Sequence, residues 1–547
     1  MFYFFGVAFN IADLLEHAVD LAPDRTAVVC GDRRVTFAEL DERANRLANH
    51  LAAQGVGPEA KVGIYSLNSV EFVESMFALF KLRAVPININ YRYVEEELAY
   101  IFDDADLEAV IHQRRYAPRM AAVLPRFPGL RHVLVVEDGT PADTGDSGSY
   151  GAVDYEQALA DASPKRDFGE RSADDLYILY TGGTTGMPKG VVWRQEDVWR
   201  VLGGGIDFMT NEPVEDEWKL AQDGAAGGPL VRFPVAPMMH GAAQWAALGA
   251  LFSASTVVLL PKFDAHEVWR LVDAEGVNVM AITGDAMARP MIEAFTSGEY
   301  DGSTLLALSS GAAIFSPSVK QQYLEAFPNI VITDTVGSSE TGFSGLGVVT
   351  KDDQDMGGPK FNRGEGTIVI DDDGRAIEPG SGGVGRLARS GHIPLRYHKD
   401  PEKTARTFAE VDGVRYSIPG DMARVEDDGS IVLLGRGSNC INTGGEKVFP
   451  EEVEGAVKSH PDVFDVLVVG APDERFGNRV VAIVQPREGR QPTLEDLDAH
   501  LRTRLAGYKL PRELHLVEEI RRHPSGKPDY AWAHDHARRA SSTPTPA

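Results

Sequence analysis

An eleven-residue stretch from Tyr180 to Gly190, YTGGTTGMPKG, contains the residue types that bind phosphate. Glycines let the backbone approach an anion closely, and threonine hydroxyls can donate hydrogen bonds to it. Lys189 adds a positive charge, and the apolar run Leu176–Leu179 before the loop predicts a strand. The alternative is a flexible turn between two strands. The ordered combination of strand, glycines, threonines and lysine favours a phosphate loop.

A Walker A loop does not fit this spacing. That motif places its lysine directly after the last glycine, and a serine or threonine after the lysine. Here Met187 and Pro188 separate Gly186 from Lys189, and Gly190 follows the lysine. The stretch is therefore a phosphate loop of another kind, without the hydroxyl that would hold magnesium.

The composition excludes several classes of partner. With 54 basic and 81 acidic residues the chain of 547 residues has a formal charge of −27, which argues against binding nucleic acid or an anionic membrane. Two cysteines, Cys30 and Cys440, suffice neither for a disulfide framework nor for a zinc site, so we expect a cytoplasmic protein.

Residues 1–9 are apolar but too short to span a bilayer. We expect a buried or loosely packed terminus and no stable membrane insertion, with weak membrane attachment as the alternative.

Helix and strand patterns alternate along the first part of the chain. The capping-box pattern Thr36-x-x-Glu39 and apolar residues at helical spacing predict a helix over 36–54. A strand at Lys61–Tyr65, a helix near Val73–Leu82 and a strand at Val85–Asn90 follow. This alternation is typical of α/β layers with parallel sheets. The strand pattern returns at Thr256–Leu260, Val277–Ile282 and Asn329–Asp334.

The pattern changes after Gly364, where short strands separated by turns predict a small β subdomain up to about Leu434. A compact unit of helices and strands follows, with helices at Pro450–Lys458 and Thr493–Leu505 and strands at Asp465–Gly470 and Arg479–Gln485. The predicted class is α/β: a large N-terminal domain of layered α/β subdomains with a small β subdomain, then a small mobile α+β C-terminal domain. The predicted boundaries are 1–435 for the N-terminal domain, 436–439 for a hinge, 440–533 for the C-terminal domain and 534–547 for a disordered tail.

The loop YTGGTTGMPKG resembles the signature of the adenylate-forming enzymes, which include acyl-CoA synthetases, peptide-synthetase adenylation domains and firefly-type luciferases. Further segments resemble this family's motifs, in the family's order and over nearly the whole chain. These segments are SSGAA (Ser309–Ala313), VGSSETG (Val336–Gly342), IPGD (Ile418–Asp421), LLGRG (Leu433–Gly437), GGEKVFPEEVE (Gly444–Glu454) and SGKPDY (Ser525–Tyr530).

The resemblance implies a reaction in two halves that uses ATP, Mg²⁺ and coenzyme A. A carboxylate first attacks the α-phosphate of ATP, and a thiol then displaces AMP. Bringing an anion against a polyanion requires positive charge and a metal. Lys527 is implied as the catalytic lysine between the carboxylate and the α-phosphate. Glu340 is implied as the Mg²⁺ ligand, and His240 lies where the family places a residue beside the acyl pocket.

The same resemblance assigns binding roles to other residues. Asp421 would accept hydrogen bonds from the ribose, Arg436 would contact ribose or phosphate, and Ser338 and Ser339 lie in the same element as Glu340. For each of these residues the alternative is an ordinary structural role, such as that of an aspartate in a turn or a lysine exposed to solvent. The remaining implied contacts are phosphate at Thr181, Gly182, Gly183, Thr184, Thr185, Gly186 and Lys189, adenine at Gly311, Ala312 and Ala313, and the pantetheine of coenzyme A at Gly444 and Gly445.

Several positions depart from the family pattern. Ser438 occupies the hinge position, where many relatives have Asp or Lys. Val336 replaces an aromatic residue that stacks on adenine, and Pro419 replaces a threonine. The segment Ile282–Ala288 lacks a proline that is common there. None of these changes removes a charged catalytic group, so they indicate a distinct branch and an active enzyme.

The expected substrates are a carboxylic acid and free coenzyme A, because no carrier-protein domain follows the late Gly-Lys motif. In motif detail the chain most resembles actinobacterial acyl-CoA synthetases of steroid side-chain catabolism. Small residues at Gly203–Gly205 and Gly241–Ala243 would leave room for a bulky acid.

A medium- or long-chain fatty acid is the main alternative substrate, and a carrier-protein-loading adenylation enzyme is the alternative of another class. A non-catalytic relative would be expected to lack Glu340 or Lys527. Whether the protein forms a homo-oligomer is left open.

Overall fold

The computed structural model of the protein divides the chain into two compact units. The first consists of Met1–Ala281, Tyr300–Leu305 and Gly391–Phe408, and the second of Ile282–Glu299, Leu306–Ser390 and Ala409–Ala547. The predicted hinge at 436–439 therefore lies inside the second unit, and its role as a hinge stays a prediction. The structure describes residues 10–141, 144–145, 147–183, 186–207, 212–214, 216–313, 315–351, 360–364, 366–443, 446–473, 475–523 and 526–541.

Helices occur in both units and are numbered here in chain order. They are α1 (Ile11–Leu21), α2 (Phe37–Ala53), α3 (Val70–Lys81), α4 (Glu95–Asp104), α5 (Ala117–Val123), α6 (Tyr155–Ala160), α7 (Gln195–Leu202), α8 (Lys219–Ala226), α9 (Gly241–Phe252), α10 (Ala265–Glu275), α11 (Gly284–Ser297), α12 (Pro317–Ala326), α13 (Pro401–Thr407), α14 (Pro450–Lys458), α15 (Leu494–Leu501) and α16 (Tyr530–Ser541). Short 3-10 helices lie at Arg114–Tyr116, Leu124–Arg126, Ser147–Tyr150, Gly437–Asn439 and Gly507–Lys509.

Strands are numbered in the same way. Those up to residue 282 are β1 (Thr26–Cys30), β2 (Arg33–Thr36), β3 (Lys61–Tyr65), β4 (Val85–Asn88), β5 (Leu107–Gln113), β6 (His132–Val136), β7 (Val153–Asp154), β8 (Leu176–Gly183), β9 (Gly186–Arg194), β10 (Ile206–Asp207), β11 (Glu212–Pro213), β12 (Val231–Pro234), β13 (Thr256–Leu259) and β14 (Val279–Ile282). The later ones are β15 (Ala307–Gly311), β16 (Val331–Ser338), β17 (Gly342–Val349), β18 (Lys360–Arg363), β19 (Thr367–Ile370), β20 (Val384–Arg389), β21 (Arg396–Tyr397), β22 (Phe408–Val411), β23 (Val414–Ser417), β24 (Asp421–Val425), β25 (Ile431–Arg436), β26 (Ile441–Thr443), β27 (Glu446–Val448), β28 (Val463–Asp473), β29 (Gly477–Pro486) and β30 (Glu513–Leu516).

The first unit is built on parallel strands, as the alternating pattern predicted. One sheet has the order β4-β3-β5-β6-β7 and is parallel throughout. Strands β1, β13, β12 and β14 form a second parallel set, to which β2 adds an antiparallel edge. The residues of β4 and β13 are buried throughout, as expected for parallel strands covered on both faces. The unit also contains an antiparallel set, β21-β9-β8, and the antiparallel pair β10-β11.

Helix α2 shows how local sequence signals produced these elements. The Thr36 hydroxyl accepts a hydrogen bond from the Glu39 amide, and the Glu39 carboxylate accepts one from the Thr36 amide, so the predicted capping box is confirmed. Such a cap satisfies donors that the first helical turn leaves unpaired. Leu40, Ala44 and Leu47 then lie buried on one face of the helix.

The second unit is mainly antiparallel. Strands β15 and β16 are parallel, and the sheet continues antiparallel through β17, β18, β25, β24 and β20, with β19 also paired to β20. This confirms the short strands predicted between 364 and 434. The later strands β28, β29 and β30 form a separate sheet, which has α14 and α16 among its packing partners.

The prediction of a disordered tail from residue 534 was wrong as far as Ser541. Helix α16 runs through this segment because Tyr530, Ala533 and Ala537 place a small apolar face against Leu467 and Val469 of β28. A buried apolar face stabilises a short helix that propensity alone would leave marginal. Residues 542–547 lie outside the described residues.

Candidate active site

The predicted phosphate loop belongs to a β-hairpin of the first unit, which is formed by β8 and β9 and is named here the phosphate hairpin. Strands β8 and β9 pair antiparallel, with Thr181 opposite Lys189 and Gly183 opposite Gly186. A Cβ on Gly190 would lie 2.9 Å from the Tyr180 ring, so glycine is required for the strands to pair this closely. Thr184 and Thr185, two predicted phosphate ligands, lie outside the described residues.

Lys189 lies on β9, and its side chain is paired with a carboxylate. Its ammonium lies 3.3 Å from the Asp400 carboxylate, and the Tyr100 hydroxyl donates to the carbonyl of the preceding residue, Pro188, at 3.0 Å. Desolvation alone would lower the pKa of Lys189, but Tyr100 and Asp400 outweigh it and the pKa is raised. The side chain is 30% exposed, so it is a permanent cation that solvent can reach.

Asn88, a residue that the sequence analysis treated only as part of a strand, fixes the hairpin. The Asn88 amide group donates to the carbonyls of Tyr180 (2.9 Å) and Met239 (2.6 Å), and its oxygen accepts from the Tyr180 amide at 2.8 Å. The side chain is buried. One neutral side chain thus joins the phosphate hairpin to the peptide immediately before His240.

The segment before His240 is held by two more buried amide side chains. The Asn68 oxygen accepts from the Met238 amide at 2.6 Å, and the Gln244 amide group donates to the Met238 carbonyl at 2.8 Å. His240 then precedes α9 as its N-cap residue, in extended backbone geometry, and its side chain is half-buried. A polar residue in a buried apolar run was the available signal for Asn88, but its partners could not be inferred from it.

Several of the small residues near His240 are packed closely against neighbouring side chains. A Cβ on Gly203 would approach Trp199 at 2.6 Å and Trp245 at 2.9 Å, and a Cβ on Gly241 would overlap with Leu179. Ala243 is buried as well. Close packing accounts for the small size of these residues, so their size by itself does not indicate room for a bulky acid.

The SSGAA segment in the second unit contains a strained turn at the end of β15. Ala312 has φ +65°, a conformation that residues with a side chain rarely adopt, and the Ala313 amide donates to the Gly311 carbonyl at 2.8 Å. A Cβ on Gly311 would lie 2.6 Å from the Thr335 hydroxyl. Strain of this kind is found at ligand-binding sites, and it suits a backbone that must pass close to a flat ring.

The turn after β16 positions Glu340. The Ser338 hydroxyl accepts hydrogen bonds from the amides of Glu340 (3.3 Å) and Thr341 (3.2 Å), and the Ser417 hydroxyl donates to the Glu340 carbonyl at 2.6 Å. Ser338 therefore orders the turn, and its role in cofactor binding stays a prediction, as does that of Ser339. The Glu340 side chain is half-buried.

Asp421 and Arg436 form an ion pair on the adjacent strands β24 and β25. The Arg436 Nε lies 2.7 Å from an Asp421 carboxylate oxygen, and its Nη1 donates to the Pro419 carbonyl at 3.1 Å. Burial raises the pKa of Asp421, with Arg436 and Lys527 opposing this and Glu340 adding to it. The pair therefore belongs to one electrostatic cluster with the other two predicted charged groups.

Lys527 completes this cluster from the C-terminal part of the second unit. Burial and the nearby Arg436 lower the pKa of Lys527, whereas the carboxylates of Glu340 and Asp421 raise it. Lys527 is nevertheless exposed to solvent. Two acids, an arginine and the late lysine, which are far apart in sequence, thus influence one another electrostatically within the second unit, and their roles stay predictions.

A buried carboxylate that the sequence analysis missed lies beside this cluster. The Glu451 Oε1 accepts from the Arg436 amide at 3.4 Å, and its buried Oε2 has no hydrogen-bond partner within the described part of the chain. Burial, with the neighbouring Glu454, raises the pKa of Glu451 to about 8. A Cβ on Gly435 would overlap with this carboxylate. The position of the Glu451 carboxylate therefore explains why the first glycine of the LLGRG motif cannot carry a side chain.

The donor set fits magnesium better than a metal held by protein alone. In the residues that the structure describes, no group of three or more His, Cys, Asp or Glu side chains could hold a metal ion. Mg²⁺ usually keeps several waters and binds one or two carboxylates together with substrate phosphates. The half-buried Glu340 suits that role. Gly444 and Gly445, the predicted pantetheine contacts, lie outside the described residues.

Comparisons with known families match two successive parts of the chain. Residues 15–393 match the AMP-binding enzyme family, and residues 452–527 match the AMP-binding enzyme C-terminal domain. This is the predicted order of a large N-terminal and a small C-terminal domain. No helix in the described ranges is long and apolar enough to cross a membrane.

Relatives and solved structures agree with these matches. The chain is 59% identical over 535 residues to a 3-oxocholest-4-en-26-oate–CoA ligase of Rhodococcus rhodochrous, covering 97% of this chain and 96% of that protein. It is 55% identical to a medium/long-chain-fatty-acid–CoA/3-oxocholest-4-en-26-oate–CoA ligase of Mycobacterium tuberculosis, covering 96% of each. An anthranilate CoA ligase in complex with anthranoyl-AMP has the same fold, with a TM-score of 0.84 at 22% identity over 98% of this chain and 99% of that one. The chain belongs to the adenylate-forming family of AMP-binding enzymes, among its acyl-CoA ligases.

Proposed function

We propose that the protein is an ATP-dependent acyl-CoA ligase that acts on a steroid side-chain acid. The observation that supports this most directly is the cluster of Lys527, Arg436, Asp421 and Glu340, in which a solvent-accessible lysine shares one site with two carboxylates. Adenylate formation needs this combination, because a cation must stabilise the charge that builds up between a carboxylate and a phosphate.

In the first half-reaction, an oxygen of the substrate carboxylate attacks the α-phosphorus of ATP. The bond from this phosphorus to the bridging oxygen breaks, and pyrophosphate leaves. Lys527 would donate hydrogen bonds to the carboxylate and α-phosphate oxygens, and the Asp421 carboxylate would accept from the ribose hydroxyls. Lys189 and Thr181 in the phosphate hairpin would hold the departing pyrophosphate. Glu340 would hold Mg²⁺, which when bound neutralises phosphate charge.

In the second half-reaction, the thiol of coenzyme A gives its proton to solvent and its sulfur attacks the acyl carbon. The bond from this carbon to the phosphate oxygen breaks, and AMP leaves with the electron pair. Once the adenylate has formed, Lys527 has completed its task. We infer that a hinge at 436–439, with Ser438 as its central residue, lets the segment after it reorient between the two halves. The short 3-10 helix at Gly437–Asn439 is compatible with this assignment, because 3-10 turns often serve as connectors between elements.

The proposed acid follows from the relatives and not from the size of the pocket glycines. The 59% identical relative is named for 3-oxocholest-4-en-26-oate, and the 55% identical one is named for both this acid and medium- or long-chain fatty acids. A medium- or long-chain fatty acid is therefore the second candidate substrate. The free thiols Cys30 and Cys440 suit a reducing cytoplasm, which we infer as the site of action.

The test is a panel of acids given to the purified protein with ATP, Mg²⁺ and coenzyme A. The panel contains 3-oxocholest-4-en-26-oate, fatty acids of 8 to 18 carbons and an aromatic acid, and the readouts are AMP, pyrophosphate and the thioester. We expect the highest kcat/KM with the steroid acid. Faster turnover of a fatty acid would overturn the substrate assignment alone, and the absence of acid-dependent AMP with every acid would overturn the ligase assignment.

A parallel assay addresses the alternative of another class. A protein that is 28% identical over 513 residues is named as a fatty acid–[acyl-carrier-protein] ligase of Streptomyces coeruleorubidus. Replacing coenzyme A by a phosphopantetheinylated carrier protein should give little thioester. Preferential loading of the carrier would identify the protein as a carrier-loading enzyme with the same first half-reaction.

A further inference from the structure

Lys527 lies on a turn that is held tightly at its base. The His523 amide donates to the Lys527 carbonyl at 2.8 Å, and the Gly526 amide donates to the His523 carbonyl at 2.8 Å. Gly526 has φ +76°, and a Cβ there would lie 3.1 Å from Ala286 and 3.2 Å from Thr283. The turn that bears Lys527 therefore packs directly against the start of α11.

Arg522 clamps this turn from inside the second unit. Its Nη1 donates to the Gly526 carbonyl at 3.1 Å, while Nε and Nη2 donate to the two Asp465 carboxylate oxygens at 2.7 and 2.8 Å. A two-point contact between guanidinium and carboxylate fixes orientation as well as distance. Arg522 and Asp465 are 13% and 12% exposed, so solvent screens the pair weakly.

Lys458 extends the arrangement to α11. Its ammonium lies 3.3 Å from Asp465 and 3.4 Å from Asp285, and both Lys458 and Asp285 are almost completely buried. Asp285 lies in the first turn of α11, where the helix dipole favours an anion, and its other oxygen accepts from the Ser316 amide at 2.8 Å. The four residues Asp285, Lys458, Asp465 and Arg522 are named here the charge relay.

The charge relay connects segments that are distant in sequence. Asp285 belongs to the part of the chain that matches the AMP-binding enzyme family, whereas Lys458, Asp465 and Arg522 belong to the part that matches its C-terminal domain. Its two positive and two negative charges balance. Around it lie Arg289, whose Nη2 is 3.8 Å from Asp285, and Glu454, which accepts from the Tyr530 hydroxyl at 3.0 Å. No member of the relay has a role in the proposed chemistry.

We propose that Asp285 and Lys458 are positioning residues for Lys527. The contact between them fixes the C-terminal segment on α11, and Arg522 transmits this position to the turn before Lys527. A buried ion pair is a poor source of net stability, because desolvation of the charges offsets much of their attraction, but it defines one geometry and can break as a unit. The proposal rests on the proposed function, because it assumes that Lys527 acts in adenylate formation and not in thioester formation.

The test separates the two half-reactions in the full-length protein. Lys458→Met removes the charge at similar length, and Arg479→Met is the matched control, because Arg479 pairs with Glu513 inside the same segment. Adenylate formation is measured by ATP–pyrophosphate exchange, and thioester formation by adding prepared acyl-adenylate and coenzyme A. We expect Lys458→Met to lower kcat for adenylation about ten- to hundredfold with little change in the KM for ATP, because a small displacement of Lys527 suffices for that loss.

Thioester formation from supplied adenylate should stay within about twofold in Lys458→Met, and Arg479→Met should change neither half. Asp285→Asn is the second variant, since its amide oxygen can still accept from Ser316 and the fold is more easily retained. Lys458→Arg, which keeps the charge, should recover most of the adenylation rate. Equal losses in both half-reactions, or none in either, would overturn the positioning role. If Lys527→Ala itself had no effect on adenylation, that result would instead overturn the proposed function.

Discussion

The phosphate hairpin and the Lys527 turn are held in different ways. Neutral amide side chains fix the hairpin and the segment before His240, with Asn88 bonded to both. The Lys527 turn is fixed by buried charges, from Arg522 through to Asp285. Neutral hydrogen bonds do not depend on pH or salt and give permanent geometry. Charged groups give geometry that lasts only while each charge keeps its partner.

This difference matches the tasks proposed for the two regions. A leaving-group site must keep its shape throughout adenylate formation, so permanent bonds suit it. A lysine that serves one half-reaction must be precise in that half and removable in the other. Substitutions in each region can therefore tell the two kinds of support apart.

Lys527→Ala should have the largest effect. If Lys527 faces the reacting groups as proposed, removing its charge should lower adenylate formation about 10²- to 10³-fold, in the range measured when a transition-state hydrogen-bond donor is deleted. Conversion of supplied acyl-adenylate to thioester should be nearly unchanged. The measurement is pyrophosphate exchange beside thioester formation. Lys509→Ala is the control, because Lys509 pairs with Glu452 in the same segment. Equal damage to both half-reactions would contradict the role of Lys527.

Asn88→Ala, which acts on the phosphate hairpin, should have the second-largest effect on adenylation. It leaves the Tyr180 amide and the carbonyls of Tyr180 and Met239 without their buried partner, at a cost of about 1–3 kcal/mol in the free energy of unfolding. Adenylation should fall about tenfold, and the loss should be the same from pH 6 to pH 9. Denaturant unfolding and pyrophosphate exchange measure the two effects.

Asn49→Ala is the matched control for Asn88. Asn49 donates to the carbonyls of Asn45, Ser163 and Lys165 from a half-exposed position, where water can replace it. It should cost less than about 1 kcal/mol. If Asn49→Ala and Asn88→Ala behaved alike, the special role given to Asn88 would fail.

How far sequence could predict this molecule depends on the range of each signal. The α2 capping box and the parallel strands were predicted, because their signals lie within a few residues or repeat along the chain. The motifs also placed Glu340, Asp421, Arg436 and Lys527, which the structure brings into one cluster. Family resemblance supplied that result, because no spacing within the chain encodes it.

The remaining features depend on partners that sequence does not show. Asn88 is bonded to residues 92 and 151 positions away. The glycines at 203 and 241 are small because tryptophan and leucine side chains fill the space beside them. Helix α16 forms because β28 offers it an apolar surface. In each case tertiary packing decided between outcomes that local sequence permits equally.

Glu451→Gln should change the pH dependence of stability. The pKa of Glu451 is about 8 in the folded protein, against an ordinary 4.5, so the folded state keeps a proton that the unfolded chain releases. Stability from this group is complete below pH 4.5 and is lost as the pH rises towards 8. Glutamine mimics the neutral form. The variant should therefore be more stable than the parent at pH 8.5, by about 1 kcal/mol or more, and equal to it near pH 5.

Thermal unfolding from pH 5 to pH 9 measures this effect. Glu452→Gln is the control, because Glu452 pairs with Lys509 in a half-exposed position, and its removal should lower stability slightly without a rise at high pH. A Glu451→Gln variant whose Tm curve runs parallel to that of the parent would show that the carboxyl is ionised in the folded protein.

Glu293→Gln should have the smallest effect, and it separates buried from exposed charge on the same helix. Glu293 pairs with Arg487 at 3.0 Å, and the two side chains are 42% and 35% exposed, so the pair contributes about 0–1 kcal/mol. Adenylation should change less than about twofold at low salt, and the difference should vanish at ~0.5 M salt. The loss in Lys458→Met should persist at that salt concentration, because water and ions do not reach the buried relay. If salt abolished both effects, the contact between Lys458 and Asp285 would be a solvated surface pair, and the contrast between the two regions would disappear.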